Sequence, residues 1–248
     1  MELHARNSLR MLLLSYERNK FNPRRNRIPP KFKSLGILRC YVMNFLEIIK
    51  TRRSIRKYLN KPIEQEKISE ILNCARFAPS SGNIQNSRFI IVTKQDKKKE
   101  IAEACLNQYW IETAPVLIII CSDTKQIKRY YEKRGEKLYA IQNTSLIAQN
   151  IMLAAHSLNL GTCFVSAFNE TAIKRILKIP EEIRVHAIIT LGYPSENPRV
   201  KKDTIESLLF FEEWGKKRSE GFWPLKKHKK LLTKKSRGIL SKLKLKKK

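Results

Sequence analysis

Two short segments of the sequence carry the side chains best suited to chemistry. The first is the basic run Thr51–Tyr58, which holds three arginines, a serine and a lysine within eight residues. Arginine suits bidentate phosphate contacts and keeps its charge at any physiological pH. The second is the turn Ala78–Gln85, whose amide and hydroxyl groups can hydrogen-bond the edge of a heteroaromatic ring. Together they have the composition of a cofactor cradle, with one side for a phosphate and one for a ring.

Neither segment is specific by itself. A basic run is more often a solvated charged face or a phosphorylation-type site. A Pro-Ser-Ser-Gly-Asn turn usually just connects a helix to a strand. Here one predicted helix joins the two segments and a predicted strand follows at once, and this order favours a ligand site.

The two segments resemble the nitroreductase-like family of FMN-dependent NAD(P)H oxidoreductases. The resemblance is carried by Arg52-Arg53-Ser54-x-Arg56 and by Ala78-Pro79-Ser80-Ser81-Gly82-Asn83-x-Gln85, and it spans 44–214 in the family's order. Further likeness lies in Ala148–Ala155, Leu160–Cys163 and Leu191–Pro194. It implies an α+β fold, with a central, mostly antiparallel sheet flanked by helices, in an intertwined homodimer. It also implies a ping-pong cycle in which NAD(P)H reduces FMN and a small-molecule acceptor, such as a nitroaromatic or a quinone, takes the electrons.

The resemblance also assigns cofactor-binding roles to particular residues. Arg52, Arg53 and Ser54 are expected at the phosphate and ribityl chain, and Arg56 at the pyrimidine edge of the ring. Ring and ribityl contacts are expected from the turn, and backbone contacts to the N5 and O4 edge from a later segment. Arg199 and Lys201 resemble a second phosphate-binding pair, although a plain charged loop is the alternative. The turn and backbone residues are Pro79, Ser80, Ser81, Asn83 and Gln85, then Val165, Ser166 and Ala167.

No side chain is predicted to be catalytic, because the chemistry would occur at flavin N5. His156 and His186 are therefore interpreted as packing residues. The four histidines and five cysteines are scattered and show no metal-ligand spacing, so we expect no metal. The cysteines also lack a C-x-x-C pair, which predicts free thiols and a cytoplasmic protein.

The net charge of +29 is distributed unevenly along the chain. Residues 1–43 hold 10 Lys or Arg and 2 Asp or Glu, residues 215–248 hold 15 and 1, and residues 44–214 hold 26 and 19. We therefore predict a basic N-terminal extension, an FMN-binding domain over 44–214 and a Lys-rich C-terminal tail. Met43 is an alternative initiator. The tails would attract nucleic acid weakly and electrostatically.

Hydrophobic periodicity predicts where the elements lie. Helices are expected at 45–50, from Lys61-Pro62 to the turn, and at 96–106, 140–158 and 171–177; strands are expected at 88–93, 116–121, 162–165 and 185–191. The unbroken apolar run Val116–Cys121 indicates a central strand covered on both faces and is too short to span a membrane. Residues 138–169 contain no Asp, Glu, Lys or Arg, so the helix within them is expected in the core or in a subunit interface.

The sequence departs from the family pattern at two places, and two alternative functions are considered. Asn86-Ser87 stand where the family often has Pro-Trp, and Asn143 stands where an Asp is common, which would remove a carboxylate from an interface. One alternative is a flavoenzyme of the same fold with another reaction, such as dehalogenation or a biosynthetic dehydrogenation. A basic nucleic-acid-binding protein is the other, although most of the charge lies in the tails.

Overall fold

A four-stranded antiparallel sheet organises the first part of the structure. The computed structural model describes residues 45–217, which fall into two units that meet at Asn197 and Pro198. In the first unit the strands lie in the order β1-β2-β4-β3, and every neighbouring pair is antiparallel. Their bounds are Ser87–Val92 for β1, Val116–Asp123 for β2, Gly161–Val165 for β3 and Ile183–Gly192 for β4. The four predicted strands are confirmed.

Helices flank this sheet and confirm the α+β class. They are α1 (Phe45–Thr51), α2 (Gln65–Ala75), α3 (Gln95–Ala104), α4 (Thr124–Arg134), α5 (Ala140–Ser157) and α6 (Glu170–Leu177), with 3₁₀ turns at Ser81–Asn83 and Tyr109–Thr113 and a π-helical turn at Gly135–Tyr139. The prediction that Lys61-Pro62 opens a helix is wrong, since α2 begins at Gln65. The backbone at Glu64 is still extended, and Ile63 before it is buried in the core.

β2 separates two hydrophobic cores, as its uninterrupted apolar run predicted. Val116, Ile118 and Ile120 pack on one face with residues of α2 and α5. Leu117, Ile119 and Cys121 pack on the other face with residues of α3 and α6. Burial on both faces fixes the sheet as the middle layer, so residues at its ends and edges are the ones left to form a site.

The second unit is small in its described part, residues 198–217. It contains the four-residue helix α7 (Ile205–Leu208), and the rings of Phe210 and Trp214 lie 4.4 Å apart. The domain boundaries and the role of the basic tails stay predictions, because residues 1–44 and 218–248 lie outside the described part of the chain.

Three further observations concern residues 45–217. All four of their cysteines are free. They contain no group of three or more His, Cys, Asp or Glu side chains placed to hold a metal ion. None of the helices in this part of the chain combines the length and the apolar character that crossing a membrane requires.

Candidate functional site

The basic segment runs beside the free edge of β3. Ser54 forms a parallel bridge with Thr162, and the Ile55 amide donates to the Thr162 carbonyl at 2.9 Å. Farther on, Tyr58 pairs with Pro194, in the turn that follows β4. The segment is therefore held at two points by backbone pairing, although it lies outside the named strands.

Two glycines make this close approach possible. A Cβ on Gly161 would lie 2.8 Å from the Ile55 side chain, and a Cβ on Gly192 would lie 2.6 Å from the ring of Tyr58. Both distances are shorter than packed carbon atoms tolerate. The glycines at the start of β3 and the end of β4 thus leave the space in which the basic segment docks.

Glu196, in the loop after β4, hydrogen-bonds the backbone of the basic segment. Its Oε1 accepts hydrogen bonds from the backbone amides of Arg56, at 2.6 Å, and Lys57, at 3.2 Å. These charge-assisted bonds use the carboxylate to hold the backbone, which leaves the arginine side chains available. Sequence reasoning missed Glu196, because the bond joins residues 140 positions apart.

Arg52 and Arg53 line a cleft of about 240 Å³. Nη1 of Arg52 is buried and has no hydrogen-bond partner among the described residues. Nη1 of Arg53 donates to the carbonyls of Lys50 and Arg52, which holds this side chain in place. Because buried donors are normally paired, the unpaired Nη1 of Arg52 is a donor that an anion in this cleft would satisfy.

His156 lines the same cleft, so its interpretation as a packing residue was incomplete. Its Nε2 lies 2.9 Å from the Thr51 hydroxyl oxygen. Burial, and then the positive charges of Arg52 and Arg53, lower the pKa of His156 below the usual value for histidine. The other predicted packing histidine, His186, lies 2.6 Å from the Ser122 hydroxyl, and burial lowers its pKa to about 4.

The turn that follows α2 carries exposed side-chain amides on residues whose backbone has positive φ. Gly82, Asn83 and Gln85 all have positive φ, at 55°, 56° and 53°. The Gln85 amide Nε2 donates to Asn83 Oδ1 at 3.2 Å, and the Gln85 backbone amide donates to Ser80 Oγ. Both side-chain amides are exposed, so the turn holds polar groups that a ligand can reach.

A buried amide network attaches this turn to α5. Asn143 Oδ1 accepts from the backbone amide and the hydroxyl of Ser81, at 3.0 and 3.1 Å, and its Nδ2 donates to Asn86 Oδ1 at 3.0 Å. Asn86 is fully buried and Asn143 is 2% exposed. The two departures from the family pattern therefore meet each other in the interior. The expectation that Asn143 changes an interface is wrong for this reason.

Tyr131 covers the same turn from α4. Its hydroxyl lies 2.6 Å from where a Cβ on Gly82 would be, and its ring packs edge-on against Tyr139 at 5.0 Å. Gly82 is thus required both by its positive φ and by lack of space. The charged segment around α4 is exposed as expected, with Tyr130 70% exposed, but Tyr131 packs inward.

Within one chain the two predicted sides of the cradle do not share a cleft. Pro79, Ser80 and Ser81 line a second cleft, of about 530 Å³, beside Asn143 at the start of α5. The arginine cleft lies beside His156, 13 residues farther along the same helix. At 1.5 Å per residue the two clefts are separated by about 20 Å.

The other predicted residues lie in three places. Arg56 is exposed, with its guanidinium 5.7 Å from the centre of the Trp110 ring. Val165 ends β3 and is buried, while Ser166 and Ala167 follow it and are exposed. Ser54 lies beside β3, in its bridge to Thr162. Arg199 and Lys201 belong to the second unit, so their role in the site stays a prediction.

Comparisons with known proteins identify the class. The chain matches the Nitroreductase family over residues 49–112 and 105–193. It is 35% identical over 178 residues to a Methanothermobacter thermautotrophicus protein named NADH dehydrogenase/NAD(P)H nitroreductase, a match that covers 69% of this chain and 88% of the relative. It is 31% identical over 165 residues to the NADPH-flavin oxidoreductase of Vibrio harveyi, covering 64% and 69% of the two chains.

A solved structure agrees with these relatives. A nitroreductase family protein from Clostridium novyi superposes with a TM-score of 0.58 at 31% identity, over 70% of this chain and 96% of that one. The fold, the docked basic segment and the sequence matches lead to the same class. The chain belongs to the nitroreductase family and is an oxidoreductase.

Proposed function

We propose that this protein uses FMN as its redox cofactor and NAD(P)H as its reductant, in a ping-pong cycle that reduces nitroaromatic, quinone or related small-molecule acceptors. The names of its relatives support the nicotinamide and flavin parts of this proposal, since they include an NAD(P)H nitroreductase, an NADPH-flavin oxidoreductase and an FMN reductase. The acceptor class is the family expectation stated above.

The buried Nη1 of Arg52, which has no hydrogen-bond partner among the described residues, is the observation that carries the proposal. It stands in a cleft of about 240 Å³ with Arg53 beside it, and a phosphate monoester would supply the acceptors that Nη1 lacks. FMN differs from riboflavin by this phosphate alone. The donor set of the cleft therefore fits FMN.

A second protomer would complete the site. The turn lies at one end of α5 and the arginine cleft at the other, about 20 Å away, which is too far for two sides of one small cradle. If two α5 helices pack antiparallel about a twofold axis, the turn of each protomer approaches the arginine cleft of its partner. We therefore propose a homodimer with two composite flavin sites.

In such a site the residues would bind the flavin phosphate, orient the ring and adjust its reactivity. Arg52 and Arg53 would hold the phosphate, Glu196 would keep the Arg56 backbone in place, and the amides of Asn83 and Gln85 would contact the ring edge. The Arg56 charge would favour the anionic reduced form of the ring. When bound, FMN supplies the hydride and electron transfer, which no amino acid side chain provides. We also propose a cytoplasmic location, because the scattered cysteines suit a reducing compartment.

A flavin-binding experiment tests this proposal. Purified protein is titrated with FMN and with riboflavin, and NADH or NADPH is then added anaerobically, followed by a quinone or a nitroaromatic. We expect FMN to bind, its visible bands to bleach with a nicotinamide nucleotide, and the bands to return with the acceptor. Arg52→Gln should weaken FMN binding by at least about tenfold, since a charged hydrogen bond contributes about 1.5–3 kcal/mol, and riboflavin binding should change little.

The matched control is Arg175→Gln, which removes an exposed arginine from α6. It should leave the affinities for both flavins unchanged. Bound FMN that neither nucleotide reduces would contradict the reaction and favour another chemistry on the same fold. Failure to bind either flavin would contradict the proposed function altogether.

A further inference from the structure

We infer that His156 is a third ligand of the flavin phosphate, and that in its protonated form it completes the anion site of Arg52 and Arg53. This inference rests on the proposed function. It goes beyond the residues to which the family pattern assigns a cofactor-binding role, because His156 lies about 100 positions from the basic segment, between the matching runs Ala148–Ala155 and Leu160–Cys163.

The hydrogen bonds around Thr51 determine which nitrogen of His156 meets the ligand. The Thr51 hydroxyl lies 2.6 Å from the Glu47 carbonyl oxygen, a distance at which its single hydrogen must lie between the two oxygens. The same hydroxyl oxygen therefore accepts from His156 Nε2, 2.9 Å away. Nε2 carries a hydrogen in every protonation state, and Nδ1 is the nitrogen that titrates.

The position of His156 at the end of α5 explains why a positive charge there would favour anion binding. It lies in the last turn of α5, and the C-terminal end of a helix carries a partial negative charge that repels an anion. Its ring lines the cleft together with both arginines. A protonated imidazole at this point offsets the helix end and adds a hydrogen-bond donor at Nδ1.

The other charged groups near the cleft are few. Arg52 and Arg53 lie on the segment after α1, and both disfavour a charged imidazole in the absence of an anion. Glu196 also lines the cleft, but its carboxylate already accepts from two backbone amides. Glu47 and Lys50 are exposed on α1, and the wall contributed by β3 carries no charged side chain.

The sign of the pH effect follows from these charges. A bound phosphate dianion neutralises the field of the arginines and raises the pKa of His156. Protonated His156 then strengthens binding, so FMN affinity gains most at low pH and the gain is lost as the pH rises through the raised value. Each unit by which FMN raises this pKa is a tenfold gain in affinity at low pH, because the two equilibria are linked.

The experiment measures FMN and riboflavin dissociation constants by flavin fluorescence between pH 6 and pH 8, in native protein and in His156→Gln. Glutamine can still donate to Thr51 but does not titrate. Protonation of the FMN phosphate itself, with a pKa of about 6, affects both proteins equally and cancels in their ratio. We expect the native protein to gain about three- to tenfold in FMN affinity over the variant on going from pH 8 to pH 6.

Three controls separate this role from a purely structural one. Riboflavin, which lacks the phosphate, should show the same ratio of native to variant affinity at both pH values. His186→Gln removes a histidine outside the cleft and should keep the native FMN profile. The His156 imidazole proton resonances should report a pKa that rises when FMN binds and does not rise when riboflavin binds.

The outcomes distinguish this inference from the proposed function. FMN that binds with the same pH profile in native protein and in His156→Gln would overturn the role of His156 and leave the flavin function intact. A pH-dependent ratio that is equally large for riboflavin would also overturn it, since the effect would not depend on the phosphate. If neither flavin binds at any pH, the proposed function and this inference fail together.

Discussion

Asn143 illustrates at the residue scale how a buried amide can hold a binding turn. Its oxygen accepts from the Ser81 backbone amide and hydroxyl, and its nitrogen donates to Asn86, so both ends of the amide are hydrogen-bonded. A carboxylate, which the family often has here, would offer acceptors only. Asn86 supplies an acceptor oxygen to the Asn143 donor, which explains why an asparagine suits position 143 in this chain.

Substitution of Asn143 should therefore destabilise the protein. Asn143→Leu leaves the Ser81 donors and the Asn86 oxygen unpaired in the interior, and we expect the free energy of unfolding to fall by about 2–4 kcal/mol. Asn143→Asp keeps the one acceptor oxygen that both Ser81 donors use and should cost less. Urea unfolding measures both changes.

The control for this prediction is Asn73→Leu on the exposed face of α2. It replaces the same residue type where no interior network is lost, and we expect a change within about 0.5 kcal/mol. An equal loss in Asn73→Leu and Asn143→Leu would show that the amide network does not stabilise the fold.

At the scale of elements, the basic segment depends on the space that β3 leaves for it. Ile55 is 6% exposed and packs where a side chain on Gly161 would lie. The neighbouring residues Arg52 and Arg53 line the cleft that we propose for the phosphate. A shift of the backbone at Ile55 would therefore also move the two arginines.

Gly161→Ala should reduce both the stability of the fold and the affinity for FMN. The added Cβ would meet Ile55 at 2.8–3.0 Å, and overpacking of this kind destabilises by about 1–3 kcal/mol. We expect weaker FMN binding as well, because the segment must move away from β3. Urea unfolding and FMN titration measure the two effects.

A double-mutant cycle tests whether the collision with Ile55 causes the loss of stability. Ile55→Ala removes two of the three colliding atoms, Cγ1 and Cγ2, and leaves Cβ. Gly161→Ala should therefore destabilise Ile55→Ala protein by at least about 0.5 kcal/mol less than native protein. In contrast, Ile173→Ala, in the core that β2 forms with α3 and α6, should add to Gly161→Ala without coupling. Equal additivity in both cycles would refute the packing argument.

At the scale of the whole molecule, the exposed apolar residues favour a dimer. Ile141 and Leu146 on α5 are 48% and 45% exposed, and Ile49 on α1 and Phe164 on β3 are exposed too. α1 and β3 both pack against α5, so these residues belong to elements that neighbour one another. Burial in a partner would remove this apolar area from water.

Leu146→Glu should therefore dissociate the proposed homodimer, because it would bury an unpaired charge in the interface. We expect sedimentation velocity to show a monomer, and FMN affinity to fall with the loss of the composite site. Leu106→Glu is the matched control, since Leu106 follows α3 and is 69% exposed. Native protein that binds FMN as a monomer would contradict the composite site.

Local patterns in the sequence predict the class of fold and nominate the candidate site residues. The alternation and apolar runs at 88–93, 116–121 and 185–191 are local patterns, and they predicted three strands within a few residues of their bounds. Arg52, Arg53 and the Pro79–Gln85 turn were likewise recognisable, because each motif is contiguous in the chain. Local propensity and periodicity are properties that a short window of sequence carries.

The tertiary structure alone decided which distant groups meet. Glu196 reaches the amides of Arg56 and Lys57, Asn143 reaches Ser81, and His156 joins the arginine cleft, all across 60 or more residues. Each contact depends on how α5 and the loop after β4 pack against the sheet, which no local pattern encodes. The separation of the two clefts along α5 has the same origin. Because a rigid helix holds the predicted halves of the site apart, we propose that a second protomer completes it.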